Sequence, residues 1–117
     1  MAIIFQEANW TVVRRAADAD GVAVIPLGSL EQHGSHLPCG TDTYLANEIV
    51  KQSLKQCVPT LPICLCPTIE YTLVQWAGPL ASAGLSSFTI ERKLLELALS
   101  LVDLGSVSYT HLRAHET

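Results

Sequence analysis

VAVIPLGSLEQHGSHLPCGTD, residues 22–42, joins a short β-branched apolar run to a polar loop that contains glycine and proline. The run VAVIPL (residues 22–27) follows the turn signal Asp20-Gly21 and is typical of a strand buried on both faces of a parallel sheet. Ligands of open α/β sheets bind beyond the carboxyl ends of the strands. The stretch therefore predicts a central strand with a binding loop, residues 28–41, at its carboxyl end.

The segments on either side predict three helices and a second strand. Residues 10–17, 43–56 and 89–104 have helical periodicity, and residues 63–66 form a short apolar run suited to a strand. This order of elements predicts an α/β fold. The apolar stripes expected to face the core are Trp10, Val13 and Ala17, then Leu45, Ile49 and Leu54, then Ile90, Leu94, Leu97, Leu101 and Leu104. The predicted helix ends are an N-cap at Asn9, an N-cap at Thr41 or Asp42, and a stop at Gly105.

The composition fits one globular domain and argues against several classes of protein. The 117 residues are 49% hydrophobic and 15% charged, which is ordinary for a single domain. A net charge of −4 without a run of Lys or Arg argues against a nucleic-acid partner. Neither a secretory signal nor an apolar stretch long enough to span a bilayer is evident, so we expect no membrane association. The cysteines form no CxxC pair, which indicates a reducing, cytoplasmic environment.

Three side chains of the loop form a candidate metal site. Glu31 and His33 are two residues apart, so in extended backbone both project to the same side. Asp42 returns at the far end of the loop, where the next helix starts. Imidazole favours zinc and similar metals, while carboxylates also accept manganese or magnesium and can bridge two ions. His36 is a further group nearby, as a ligand, a hydrogen-bond partner of a ligand or a proton carrier.

Each of these residues alone has a simpler interpretation. Asp42 fits a helix N-cap, and Glu31 fits an ordinary solvated side chain. A single histidine such as His33 or His36 is more often a surface or hydrogen-bonded residue than a ligand. Cys39 fits a small loop residue, although its spacing to His36 leaves a zinc ligand open. Four potential ligands in one short loop after a buried strand favour the metal site over these separate interpretations.

The loop sequence also resembles a known family. GSLEQHGSHLPCGTD, residues 28–42, is similar to the signature of the creatininase (creatinine amidohydrolase) family, G-[SA]-x-E-Q-H-G-x-H-L-P-x-x-T-D. Residues 67–85 (PTIEYTLVQWAGPLASAGL) resemble the family's second conserved region more loosely. Thr72 stands in that region where a glycine is expected after Glu-Tyr. The resemblance extends over residues 7–105.

This resemblance implies a three-layer α/β/α sandwich with a mainly parallel sheet, and a hydrolase with two divalent metal ions, Zn and/or Mn, with Mg possible. It implies that Glu31 binds one metal, His33 the other, and Asp42 bridges them. Metal-activated water would then attack the carbonyl carbon of a small-molecule amide, often cyclic, so that its C–N bond breaks, in a homohexamer. Gln75 and Trp76 could line the substrate pocket, or Trp76 could simply pack the loop.

The end of the chain departs from the family pattern. The family's remaining metal ligands, a His and a Glu, follow a further strand and an Asn-Gly-His motif that residues 106–117 (SVSYTHLRAHET) lack. We therefore interpret residues 1–105 as the N-terminal part of a creatininase-like domain and residues 106–117 as a non-native tail. His111, His115 and Glu116 are a chance set in that tail. The chain as written is expected to be poorly soluble and inactive, whereas its full-length parent would be an enzyme.

Two classes of function follow. One is a metal-dependent amidohydrolase, and the other is a non-catalytic fragment or pseudoenzyme that acts as an interaction module. A thiol enzyme that uses Cys39 or Cys57 ranks last because neither cysteine has a convincing spacing to a histidine.

Overall fold

A computed structural model of the chain describes residues 2–56, 60–74 and 81–105, and the backbone of residues 108–113. Its elements in chain order are β1 (Ala2–Ile4), a 3-10 turn (Phe5–Glu7), α1 (Trp10–Asp18), β2 (Val22–Leu27), α2 (Thr41–Gln56), β3 (Ile63–Leu65), α3 (Ser87–Leu104) and β4 (Ser108–Arg113). The alternation of strands and helices confirms the predicted α/β class. None of the helices within the described ranges is long and apolar enough to cross a membrane.

The four strands form one parallel sheet in the order β1-β3-β2-β4. β2 has the bounds that the sequence predicts, and it is paired on both sides, with Val22 opposite Ile63 of β3 and opposite Ser108 of β4. Its apolar run is buried, with Ala23 only 1% exposed, because helices cover both faces of the sheet. The predicted central strand is therefore confirmed.

Helices lie on both faces of the sheet, as in a three-layer sandwich. On one face, two neighbouring cores include residues of α1 and α3, and on the other face α2 contacts β2. The buried residues of the first core are Ala23, Ile25, Leu27, Cys66, Ile69 and Ile90, and those of the second are Ile3, Val13, Ala16 and Cys64. The predicted α/β/α architecture is confirmed, and Cys64 and Cys66 are core residues.

The predicted ends of two helices are confirmed by their caps. The Asn9 side chain accepts a hydrogen bond from the N–H of Val12 at 3.2 Å at the start of α1. α3 starts two residues earlier than predicted because the Ser86 hydroxyl accepts the N–H of Thr89 at 3.3 Å. It ends at Gly105, whose φ of 118° is a left-handed conformation that glycine adopts without strain.

The prediction of which face of α2 is buried was wrong. Its buried residues are Asp42, Ala46 and Val50, whereas Leu45 and Ile49 are 48% and 50% exposed. Periodicity sets the spacing of a stripe, but the neighbouring layers decide which stripe faces inward. α2 approaches the sheet closely through small residues, so its larger side chains point outward.

The other two stripes were predicted more accurately. In α1, Val13 and Ala17 are buried, while Trp10, in the first turn, is 77% exposed. In α3, every predicted residue except Leu97 is buried or half-buried, and Leu97 lies at the edge of the stripe. Both helices therefore present the predicted faces to the core, with one outward residue each.

Candidate metal centre

The loop of residues 28–42 leaves the carboxyl end of β2 and returns to the sheet at the first turn of α2. Gly28 makes this close return possible, because a Cβ atom at this position would lie 2.5 Å from the Cα of Thr43. The turn that contains Asp42 therefore packs directly against the end of the strand. Thr41 and Asp42 both lie inside this turn, not before it, so the predicted N-cap position was wrong for either residue.

Glu31, His33 and Asp42 converge at this end of the sheet. One ligand atom from each residue lies within 4.8 Å of the other two. Asp42 is buried at 3% exposure, whereas Glu31 and His33 are half-buried, so the cluster opens toward solvent on their side. The loop thus brings together the three residues that the sequence analysis selected.

Hydrogen bonds fix the orientation of the His33 ring. Its Nδ1 lies 2.7 Å from the backbone oxygen of Glu31, and its Nε2 lies 3.0 Å from Oδ1 of Asp42. The hydrogen bond to the Glu31 carbonyl raises the pKa of His33 above its usual value, and the Asp42 carboxylate adds to this effect, while burial opposes it. Two carboxylates around one imidazole therefore attract a positive charge to this point.

These donors fit a divalent cation. An imidazole nitrogen and two carboxylates are ligands that zinc and manganese both accept. A ligating histidine usually donates its second ring N–H to a backbone carbonyl or a carboxylate, as Nδ1 of His33 can to Glu31. Nε2 then points toward Asp42, where an ion shared by the two side chains would be held.

Ser29 is a member of the site that the sequence analysis missed. Its hydroxyl donates a hydrogen bond of 2.6 Å to Oδ2 of Asp42, and both residues are 3% exposed. The available signal was its position, because Ser29 is two residues before Glu31 and four before His33. In extended backbone these three residues project to the same side.

The segment that follows β3 is hydrogen-bonded to the start of the loop. The buried Thr72 hydroxyl donates to the backbone oxygen of Gly28, and the Thr72 oxygen accepts the N–H of Leu85 at 2.8 Å. Thr72, which replaces the glycine expected from the resemblance, therefore joins three parts of the chain through its side chain and backbone.

Two further hydrogen bonds continue along the same side of the loop. The N–H of Ala83 donates to the oxygen of Leu30 at 2.9 Å, and the N–H of Gln32 donates to the Ser82 hydroxyl at 3.1 Å. Residues 28, 30 and 32 are thus held through their backbone groups, while residues 29, 31 and 33 supply the side chains of the site. We call residues 28–33 the ligand strand, although they belong to the loop and form only isolated β-bridges, at Leu30 and His33.

The remaining predicted site residues lie elsewhere or outside the described ranges. His36 is exposed and is not among the three clustered residues. Cys39 takes part through its backbone oxygen, which accepts the N–H of Glu31 at 3.0 Å. Gln75 and Trp76 fall between the described ranges, and so does Cys57.

Comparison with known proteins identifies relatives of the whole described fold. The sequence model of the Creatininase family, described as creatinine amidohydrolase, matches residues 6–115. This match contains the ligand strand and reaches past β4. No curated protein sequence matches the chain.

Several solved structures share the fold. A Glu-to-Gln mutant creatininase complexed with creatine superposes with a TM-score of 0.82 at 20% identity, over 98% of this chain and 46% of that one. A structure titled creatininase Mn gives 0.81 at 21% identity, and a mutant creatininase of Zn-Zn type gives the same values, each with the same coverage of both chains. The chain therefore spans less than half the length of the structures that it matches.

Proposed function

The chain belongs to the creatininase family, and from this premise we propose that it carries the metal-binding part of an amidohydrolase that uses metal-activated water. The observation that supports the proposal is the convergence of Glu31, His33 and Asp42 within 4.8 Å. The proposed substrate is a small cyclic amide, and the proposed ions are two divalent cations, Zn and/or Mn, with Mg as an alternative. Manganese and zinc forms of creatininases with this fold support that choice of ions.

The protein side chains would hold and orient the reaction centre. Divalent cations, when bound, lower the pKa of a water molecule and polarise an amide carbonyl. Nε2 of His33 and the carboxylates of Glu31 and Asp42 would be the ligands. The Glu31 carbonyl, at 2.7 Å from Nδ1, keeps the proton of a neutral His33 away from Nε2. Asp42 is buried, so its carboxylate would bind without competition from bulk water.

Other proposed roles concern residues near this centre. His36 is exposed, and this position suits a group that exchanges protons with solvent. Gln75 and Trp76 are proposed substrate contacts because they follow closely on two residues placed near the loop. The Thr72 hydroxyl donates to the backbone oxygen of Gly28, and Leu73 forms a β-bridge with Leu85. We also propose a cytoplasmic homohexamer.

The domain boundaries remain a proposal, with a creatininase-like part at residues 1–105 and a non-native tail at residues 106–117. The backbone of β4 pairs with β2, but backbone pairing does not depend on a particular side-chain pattern. Sequencing the gene through and beyond the codon for Gly105 tests this proposal. A reading frame that continues into a strand and an Asn-Gly-His segment supports it, and a frame that encodes SVSYTHLRAHET contradicts it.

The function is tested on the full-length product of the gene. Hydrolysis of creatinine and a panel of cyclic and formylated amides should require metal, and both chelation and Asp42→Ala should abolish it. Asp103→Ala, at an exposed position near the end of α3, is the matched control and should retain activity. Turnover that survives both chelation and Asp42→Ala contradicts the proposal.

A non-catalytic interaction module is the second candidate, and the outer face of α3 favours it. This face exposes Phe88, Leu95, Leu99 and Val102 to between 50% and 79%, and exposed apolar stripes of this kind often contact another chain. The module predicts a stable complex with a partner and weak affinity for Mn²⁺. Tight Mn²⁺ binding together with amide turnover excludes it.

A further inference from the structure

The two carboxylate oxygens of Asp42 have different neighbours, Ser29 on one side and His33 on the other. Oδ2 accepts the Ser29 hydroxyl at 2.6 Å, and Oδ1 lies 3.0 Å from Nε2 of His33. Because both Ser29 and Asp42 are 3% exposed, water has little access to replace this hydroxyl. The buried Ser29 side chain therefore contributes to the rotation of the carboxylate.

We propose that Ser29 is a positioning residue, which holds Oδ2 of Asp42 so that Oδ1 faces the cation positions lined by Glu31 and His33. This inference rests on the proposed function of the same site. Ser29 itself is not a ligand in the proposal, and it acts only through the orientation of the Asp42 carboxylate.

The position of Ser29 in the ligand strand allows its hydroxyl to orient the Asp42 carboxylate. Ser29, Glu31 and His33 all reach Asp42, and they alternate with residues whose backbone groups are bonded to residues 72, 82 and 83. Asp42 approaches them from α2. One short extended segment therefore supplies two ligands and the anchor for the third.

The energetic reason is the charge of a buried carboxylate. A hydrogen bond to a carboxylate is about twice as strong as one between neutral groups, and partners of this kind orient metal ligands. Without the hydroxyl, Oδ2 loses this hydrogen bond and the carboxylate gains freedom to rotate away from His33. Loss of such a partner typically weakens metal affinity by about 10- to 100-fold.

The test compares Mn²⁺ affinities of variants of the full-length gene product, measured by the electron paramagnetic resonance signal of free Mn²⁺. Ser29→Ala should weaken binding about tenfold, and Ser53→Ala, at an exposed position on α2, should leave it unchanged. Ser29→Thr keeps the hydroxyl and should restore most of the affinity. Asp42→Asn should abolish binding. Thermal unfolding of each metal-free variant separates lost stability from lost affinity.

The outcomes distinguish this inference from the proposed function. Ser29→Ala with wild-type affinity, beside Asp42→Asn without binding, overturns the role of Ser29 and leaves the metal site intact. Wild-type affinity in Asp42→Asn, or no binding by the unaltered protein, overturns both. If Ser29→Thr does not fold, the comparison of Ser29→Ala with Asp42→Asn still decides.

Discussion

Two segments leave the carboxyl ends of neighbouring strands, and they contribute to the site in different ways. The segment after β2, residues 28–42, supplies the side chains of Glu31, His33 and Asp42. The segment after β3 contributes none of these side chains within its described residues, but it holds the ligand strand through backbone and hydroxyl groups. The first segment supplies the proposed metal-binding side chains, and the second holds the backbone that carries two of them.

This difference predicts two kinds of mutational effect. Changes to the proposed ligand side chains of the first segment should lower metal affinity while the fold persists, whereas a change at its closely packed Gly28 should lower stability. Changes in the second should lower stability first, and affinity only through the position of the ligand strand. The following experiments on the full-length gene product test this division, starting with the largest expected effect.

The largest effect is expected for His33→Ala, which removes the only imidazole of the cluster. Mn²⁺ affinity should fall at least about 100-fold, which corresponds to about 2.7 kcal/mol. His36→Ala is the matched control, because His36 is exposed and outside the cluster, and its affinity should stay close to that of the wild type. Isothermal titration calorimetry measures the Mn²⁺ affinity of both variants. Equal losses in the two variants would contradict the assignment of His33.

Gly28→Ala should have the largest effect on stability, about 3 kcal/mol, because the added Cβ would lie 2.5 Å from the Cα of Thr43. Backbone must then move at the junction of β2 and α2. Gly40→Ala is the control, since its Cβ would meet only the Tyr44 ring, at 3.2 Å. Urea unfolding compares the two, and similar midpoints would show that the junction is not tightly packed.

Thr72→Val should cost about 2 kcal/mol, because the buried oxygen of Gly28 loses its hydroxyl donor while the side-chain shape is kept. The reduction in Mn²⁺ affinity should be smaller than that of Ser29→Ala, since the Thr72 hydroxyl donates to the backbone oxygen of Gly28. The exposed Thr60→Val is the control for stability. A stable Thr72→Val protein without Mn²⁺ binding would instead place Thr72 in the metal site.

Ser82→Ala should have the smallest effect, about 1 kcal/mol, because it removes the acceptor for the half-buried N–H of Gln32. Hydrogen exchange of the Gln32 amide should accelerate, whereas that of Glu31, which is bonded to Cys39, should not. Ser100→Ala, exposed on α3, controls for the general effect of losing a serine. Unchanged exchange at Gln32 would mean that Ser82 does not hold the ligand strand.

The parts of the fold that depend on local signals could be predicted from the sequence. β2 has its predicted bounds because a β-branched run between a turn and a glycine specifies a strand by itself. α3 ends where predicted because Gly105 can adopt a left-handed conformation. The inward face of α2 could not be predicted, because Ala46 and Val50 face the sheet only as a result of close packing at Gly28.

The candidate site was predicted as a set of residues but not as a structure. The spacing of Glu31 and His33 and the return of Asp42 were sufficient to select the three side chains. The partners Ser29, Thr72 and Ser82 were missed because their contacts are made between residues 13 to 50 positions apart. Such contacts follow from tertiary packing, which spacing along the chain does not reveal.

The alternation along the ligand strand also limits how this segment can change during evolution. A substitution at one position alters one contact, and its neighbours keep their directions. Deletion or insertion of a single residue between Ser29 and His33 would reverse the directions of all residues on one side of the change. Glu31 or His33 would then point away from Asp42. We therefore expect homologous chains to vary in composition here while they keep the number of residues from Gly28 to His33 constant.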